Sequence, residues 1–270
     1  MEWFELFKAV ILGIVQGITE WLPISSTGHM ILVDEFLSLK VSPDFWKLFE
    51  VVIQLGSILA VLVLYFHKLN PFSPKKTSDE KKSTVTMWLK VIVGVIPAAV
   101  LGFIFDDFLP NSPVVIALAL IIYGIAFIII ENGNKKPKIK SIDELTYGKS
   151  LGIGLFQALS IIPGTSRSGS TILGGIILGS SREVAAEYSF FLAIPVMFGA
   201  SLLRLVKFVL KGLAVSPTEW GILIVGTLVS FLVSIVAIKF LMSFIKKHDF
   251  KAFGWYRIIL GVIVLLYFWI

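Results

Sequence analysis

Six long, nearly uncharged apolar runs constrain this chain more than any other feature. They lie at 51–66, 87–105, 114–130, 188–206, 220–240 and 256–270. As helices, runs approaching or reaching about 20 residues match the roughly 30 Å hydrocarbon core of a bilayer. Composition agrees: 56% of the 270 residues are hydrophobic and 16% are charged, against roughly 45–50% and about 25% in soluble domains. This argues against a soluble single domain, a disordered chain and a nucleic-acid module. Cysteine is absent, which rules out a disulfide scaffold, a thiolate nucleophile and a cysteine metal site. Glu2 and Glu5 precede the first lysine, Lys8. That start lacks the basic region of a removable signal peptide and reads as mature membrane protein.

Two further apolar stretches, 9–33 and 150–178, are interrupted. The first is broken by Glu20-Trp21-Leu22-Pro23-Ile24-Ser25-Ser26-Thr27-Gly28-His29, the second by Pro163-Gly164-Thr165-Ser166-Arg167-Ser168-Gly169-Ser170-Thr171. Proline removes a backbone donor and clashes with the preceding turn. Broken backbone at membrane depth persists only where protein or a wet cavity satisfies its polar groups. Both stretches are therefore expected to be re-entrant hairpins of two half-helices, with kinked spanning helices as the other way to place the breaks.

The two broken stretches resemble each other. Gly13-Ile14-Val15-Gln16 matches Gly154-Leu155-Phe156-Gln157, and the spacing from Gln16 to Ile31 equals that from Gln157 to Ile172. Three spans follow each copy. The expected organisation is one integral membrane domain, 1–270, built as repeat one (1–131), a lysine-rich loop (132–147) and repeat two (148–270). A hairpin returns to its own side and three spans cross an odd number of times, so the second copy is inverted, as in many transporters. The expected fold class is thus an all-α polytopic membrane protein with six transmembrane helices, two re-entrant hairpins and an inverted-topology repeat.

The formal charge of +6 reads as loop lysine that sets orientation rather than as a nucleic-acid surface. Loops 67–85, 132–149 and 243–253 carry Lys68, Lys75, Lys76, Lys81, Lys82, Lys135, Lys136, Lys138, Lys140, Lys149, Lys246, Lys247 and Lys251. An alternating path places all three on one face, the cytoplasmic one. Asp106 and Asp107 then fall outside, as does the mouth of the first hairpin. Trp255, Tyr256, Tyr267 and Trp269 are candidate interfacial anchors.

Ionisable groups inside membrane segments are functional by default. The first hairpin offers Gln16, Glu20, Ser25, Ser26, Thr27 and His29; the second offers Ser166, Arg167, Ser168, Ser170 and Thr171. Gln16 and Glu20 share a helix face at i,i+4. Glu20 can hold a hard cation or accept a proton. With one carboxylate, an Mg²⁺ bridged to substrate phosphates is more natural than a protein cage. Ser26 and His29, at i,i+3, point into one space if helical. His29 can take a serine proton, return one to a leaving group, or attack phosphorus itself. Arg167 matches phosphate oxygens bidentately, and the glycines and half-helix N–H groups around it complete an anion site. Arg182, Glu183 and Glu187 are expected to form local helix pairs.

Together these residues resemble the undecaprenyl-diphosphate phosphatase family of the bacterial plasma membrane, associated with bacitracin resistance. Gln16-Gly-Ile-Thr-Glu20-Trp-Leu-Pro-Ile-Ser-Ser-Thr-Gly-His29 and Pro163-Gly-Thr-Ser-Arg-Ser-Gly-Ser-Thr171 carry the resemblance, which extends over essentially the whole chain. The family has Glu or Gln at the position of Gln16. The resemblance implies Glu20, Ser26, His29 and Arg167 as catalytic groups. It also implies Ser25, Thr27, Ser166, Ser168 and Thr171 as phosphate-binding hydroxyls, and Glu20 with Gln16 at a divalent cation, Mg²⁺ or Ca²⁺. The implied reaction converts undecaprenyl diphosphate to the monophosphate carrier and inorganic phosphate, at a site open to the outer face. Membrane lipid is the other implied partner, nucleic acid is not one, and a homodimer is compatible with the sequence. A polyprenyl-phosphate flippase, an anion transporter or a scaffold for wall synthesis are the competing functions.

Overall fold

A computed structural model of the protein describes residues 2–105, 112–133, 136–212 and 214–269. Asp106, Asp107, Lys135 and the Trp269 side chain lie outside the described residues. The chain is helical: α1 (Glu2–Thr19), α2 (Ser26–Leu37), α3 (Pro43–Leu64), the single turn α4 (Phe66–Leu69), α5 (Ser78–Phe105), α6 (Pro113–Asn132), α7 (Tyr147–Ala158) running into a 3₁₀ turn at Leu159–Ile161, α8 (Arg167–Ile177), α9 (Arg182–Leu210), α10 (Pro217–Phe244) and α11 (Lys251–Trp269). Among the described residues no strand forms; one isolated bridge joins Ile139 to Ser180. Helices α3, α5, α6, α9, α10 and α11 are long and apolar enough to cross a bilayer.

These helices overrun the apolar stretches that announce them. Hydropathy marks where lipid begins, whereas capping marks where a helix begins. Ser42 accepts from the Phe45 N–H with Pro43 at the first helical position, so α3 starts well before residue 51. Ser181 accepts from the Val184 N–H and starts α9. Ser216 and Glu219 form a reciprocal capping box at α10. Each cap satisfies a donor that the first turn leaves without an intrahelical partner.

The two interrupted stretches double back. Lys8 Nζ donates to the Ser38 carbonyl at 2.7 Å, and the Lys40 N–H donates to Glu5 at 3.0 Å, tying the start of α1 to the end of α2. Lys149 Nζ donates to the Leu178 carbonyl at 2.6 Å, tying the start of α7 to the end of α8. The first tie lies at the same end of the bundle as the Lys211–Asp44 pair. The second lies at the lysine-rich end, where Arg182 Nε meets Glu131 at 3.0 Å and Lys68 meets Glu187 at 2.8 Å. Arg182 and Glu187 therefore bond across helices instead of forming the local pairs expected. Glu131 sits at the buried end of α6 and also accepts the Phe250 N–H, so it draws Arg182 away from its own helix.

Packing exchanges the two halves of the chain. Helix α1 lies on α10 and α7 on α5, while α6 lies against α11 and α3 against α9. Close backbone approach makes the central contact possible: a Cβ on Gly124 would sit 2.7 Å from the Gly254 carbonyl oxygen, and one on Gly254 2.8 Å from that of Gly124. Small residues at such crossings let dispersion and weak polar contacts act where lipid removes the hydrophobic drive between helices. Ile122, Ile129, Val236, Ile259 and Leu266 stay on the outer, lipid-facing surface.

Candidate active site

Both breaks end in the same local structure. Ser25 and Ser166 occupy positive φ, 73° and 71°, and are the described non-glycine residues that do so. Each caps the half-helix that follows. Ser25 Oγ accepts from the Gly28 N–H at 3.2 Å, and Ser166 Oγ from the Gly169 N–H at 3.1 Å. A β-carbon at positive φ is sterically costly, and such conformations concentrate where function requires them. They set the first residues of α2 and α8, Ser26 and Arg167, at equivalent positions.

Glu20 joins those two residues. Its Oε1 accepts from Arg167 Nη2 at 2.9 Å. Its Oε2 accepts from Gln16 Nε2 at 2.9 Å and, at 3.4 Å, from Ser26 Oγ. The ion pair is nearly enclosed, with side-chain exposures of 11% for Arg167 and 8% for Glu20. Arg167 Nη1 also donates to the Ser189 carbonyl at 2.9 Å, and its guanidinium lies over the Trp21 ring at 5.4 Å. Its Nε has no hydrogen-bond partner among the described residues. Trp21 is fully buried and meets Phe190 edge-on at 5.3 Å. The apolar walls thus hold the charges in low dielectric, where they act strongly on an anion.

The hydroxyls divide between the site and the scaffold. Thr27 is exposed and Ser26 half-buried. Ser168 is buried and donates to the Leu22 carbonyl at 3.2 Å, stitching one break to the other. Thr171 is fully buried, donating to the Arg167 carbonyl at 2.9 Å and lying 2.6 Å from Ser189 Oγ. Ser25 and Ser166 are committed to their caps. His29 bonds away from Ser26: Nδ1 lies 2.7 Å from the Ser25 carbonyl and Nε2 2.7 Å from Tyr256 Oη. The shared space expected of Ser26 and His29 therefore contains no bond between them; the group within reach of Ser26 is Glu20.

Arg257 was not legible as a site residue. It sits in the last apolar run, beside Tyr256, where an arginine reads as an interfacial charge. In the fold it is fully buried. Nη1 donates to the Pro23 carbonyl at 3.1 Å; Nη2 donates to those of Gly164 at 3.1 Å and Thr165 at 2.9 Å. No carboxylate pairs with it among the described residues. Broken helices leave carbonyls without intrahelical donors, and one guanidinium serves three of them across both breaks.

Among the described residues no three acidic or histidine side chains gather. Glu20, with Gln16 beside it, is the carboxylate available at the site. That donor set fits an Mg²⁺ or Ca²⁺ that brings phosphate and water oxygens as most of its ligands, and does not fit a protein-borne cage.

A bundle of six lipid-crossing helices around two broken ones, with a carboxylate and a guanidinium enclosed between the breaks, defines a multi-pass membrane protein with an internal polar site suited to anions. Residues 9–263 match the family model described as bacitracin resistance protein BacA, and the chain belongs to that family. It is 58% identical to the undecaprenyl-diphosphatase of Enterococcus faecalis over 99% of both chains. It is 60% identical to undecaprenyl-diphosphatase 1 of Clostridioides difficile, over 98% of this chain and 97% of the relative. With the undecaprenyl-diphosphatase of Acetivibrio thermocellus the identity is 59% over 98% of each.

Proposed function

We propose that this protein is an undecaprenyl-diphosphate phosphatase, which releases inorganic phosphate and returns the monophosphate lipid carrier to cell-wall polymer synthesis. The observation that carries the mechanism is the position of Glu20, whose carboxylate touches the first residue of both half-helices. That arrangement places two helix N-termini, a guanidinium and a hydroxyl around one small volume.

The diphosphate binds with its anionic oxygens on Arg167 and on the leading N–H groups of α2 and α8, which the serine caps leave available. Ser26 Oγ attacks the terminal phosphorus and passes its proton to Glu20. The bond to the bridging oxygen breaks, and the lipid monophosphate leaves with that electron pair. Water then attacks the phosphoserine, giving a proton to His29; the Oγ–P bond breaks, and Glu20 returns the proton to Ser26. Throughout, Arg167 offsets charge on the equatorial oxygens, the main requirement of phosphoryl transfer. Glu20 and Gln16 would hold a divalent cation here, and it would supply further charge neutralisation when bound. The lysine-rich end lies in the cytoplasm of a bacterial plasma membrane by the positive-inside rule. The first hairpin then opens to the outer face.

The test is phosphate release by purified protein given undecaprenyl diphosphate in detergent, with and without EDTA. Release that stops on chelation is expected. A protein that moves the lipid across vesicles but releases no phosphate would be a carrier instead.

A further inference from the structure

His29 is held from two sides. Nδ1 lies 2.7 Å from the Ser25 carbonyl oxygen. A carbonyl only accepts, so Nδ1 carries the proton, and a neutral ring then presents Nε2 as an acceptor. Tyr256 Oη, 2.7 Å from Nε2, is the donor that meets it. The rings are stacked as well, with centroids 5.5 Å apart and planes 4° apart. Tyr256 thus fixes both the lone pair and the plane of the imidazole.

The supporting frame is specific. Tyr256 reaches His29 from α11, in the opposite half of the chain, and the adjacent Arg257 pins that turn to the Pro23, Gly164 and Thr165 carbonyls. Tyr256 itself is 45% exposed. Its hydroxyl can therefore yield its place on Nε2 without disturbing the core. A tyrosine that served only as an interfacial anchor would need neither the parallel ring planes nor the bond.

We propose that Tyr256 is a positioning residue that acts through His29. With Nδ1–H fixed by the Ser25 carbonyl, Tyr256 holds the ring from the other side and keeps Nε2 ready as an acceptor until the hydrolytic water takes the hydroxyl's place. The proton released as that water attacks the phosphoserine then passes to Nε2 while the Oγ–P bond breaks. This role rests on the phosphatase reading of the site, whereas the tautomer does not.

Tyr256→Phe keeps the ring and removes the donor. In full-length protein carrying isotope-labelled histidine, the chain's three histidines are separable by magnetic resonance, with His29→Gln identifying the relevant signal. Tyr256→Phe is expected to shift the His29 Nε2 resonance while Nδ1 stays protonated. In phosphate release, kcat is expected to fall about tenfold, the scale of one net hydrogen bond, with KM unchanged. Added to His29→Gln, the same substitution should cost nothing more. An unmoved Nε2 resonance overturns the proposal, as does a rate loss that persists in full on the His29→Gln background. If even the unaltered protein releases no phosphate, the phosphatase reading fails, and the resonance alone still decides whether Tyr256 donates to Nε2.

Discussion

Arg167, the first residue of one half-helix, donates to Glu20 at the end of another at 2.9 Å, so a single ion pair closes the gap between the two breaks. The guanidinium is partly spent on the protein itself: Nη1 donates to the Ser189 carbonyl and Nη2 to Glu20. On the proposed mechanism an incoming diphosphate would compete with Glu20 for Arg167 and free the carboxylate to accept the Ser26 proton. That exchange would couple substrate binding to activation of the nucleophile.

Arg167→Lys should fail almost as badly as Arg167→Ala. A point charge on a flexible stem cannot hold Ser189, Glu20 and phosphate with the spacing of a planar fork. Loss of about 10²–10³ in kcat is expected from removing one preorganised donor at developing charge. Phosphate release by variants that elute as folded protein from size-exclusion chromatography checks it.

Ser26→Ala should abolish formation of a phosphorylated intermediate. Rapid quenching in SDS at neutral pH, with substrate labelled in the terminal phosphate, should leave label on the unaltered chain and none on the variant. Label retained at His29 in the variant would transfer the nucleophile's role to the imidazole.

Glu20→Gln should raise the Mg²⁺ concentration needed for half-maximal release and lower the maximum. Gln16→Ala should change the cation requirement less, because an amide oxygen is a weaker partner for a hard cation than a carboxylate. Titrating Mg²⁺ into EDTA-treated protein separates the two outcomes.

The spans were legible in hydropathy alone, and the breaks in Pro23, Pro163 and the polar clusters beside them. Glu20 and Arg167 stood out because charge in an apolar stretch is costly. Local pattern could not show their bond, which depends on how two distant segments dock. Arg257 was hidden for the same reason: its partners are backbone carbonyls of Pro23, Gly164 and Thr165, and a carbonyl has no letter in a sequence. The positive φ of Ser25 and Ser166 was equally invisible, since glycine is the residue that normally announces such backbone. Tyr256 carried the signature of an interfacial anchor, and only the arrival of α11 beside α2 gives it a histidine to hold.

Arg257→Met should destabilise the fold regardless of substrate. It fills similar space but orphans three buried carbonyls, each worth about 1–3 kcal/mol when unsatisfied. Relief of the desolvated charge offsets part of that loss. The midpoint of thermal unfolding in detergent should fall, with or without a diphosphate ligand.

The meeting of the two breaks on one carboxylate is tested most directly by a double-mutant cycle on stability. Glu20→Gln and Arg167→Gln should each lower the unfolding midpoint, because each leaves a buried charge without its partner. The double variant should recover much of the loss, giving a coupling of about 1–3 kcal/mol between contacting residues. Strictly additive effects would mean that the two half-helices do not share Glu20, and the site as described here would not exist.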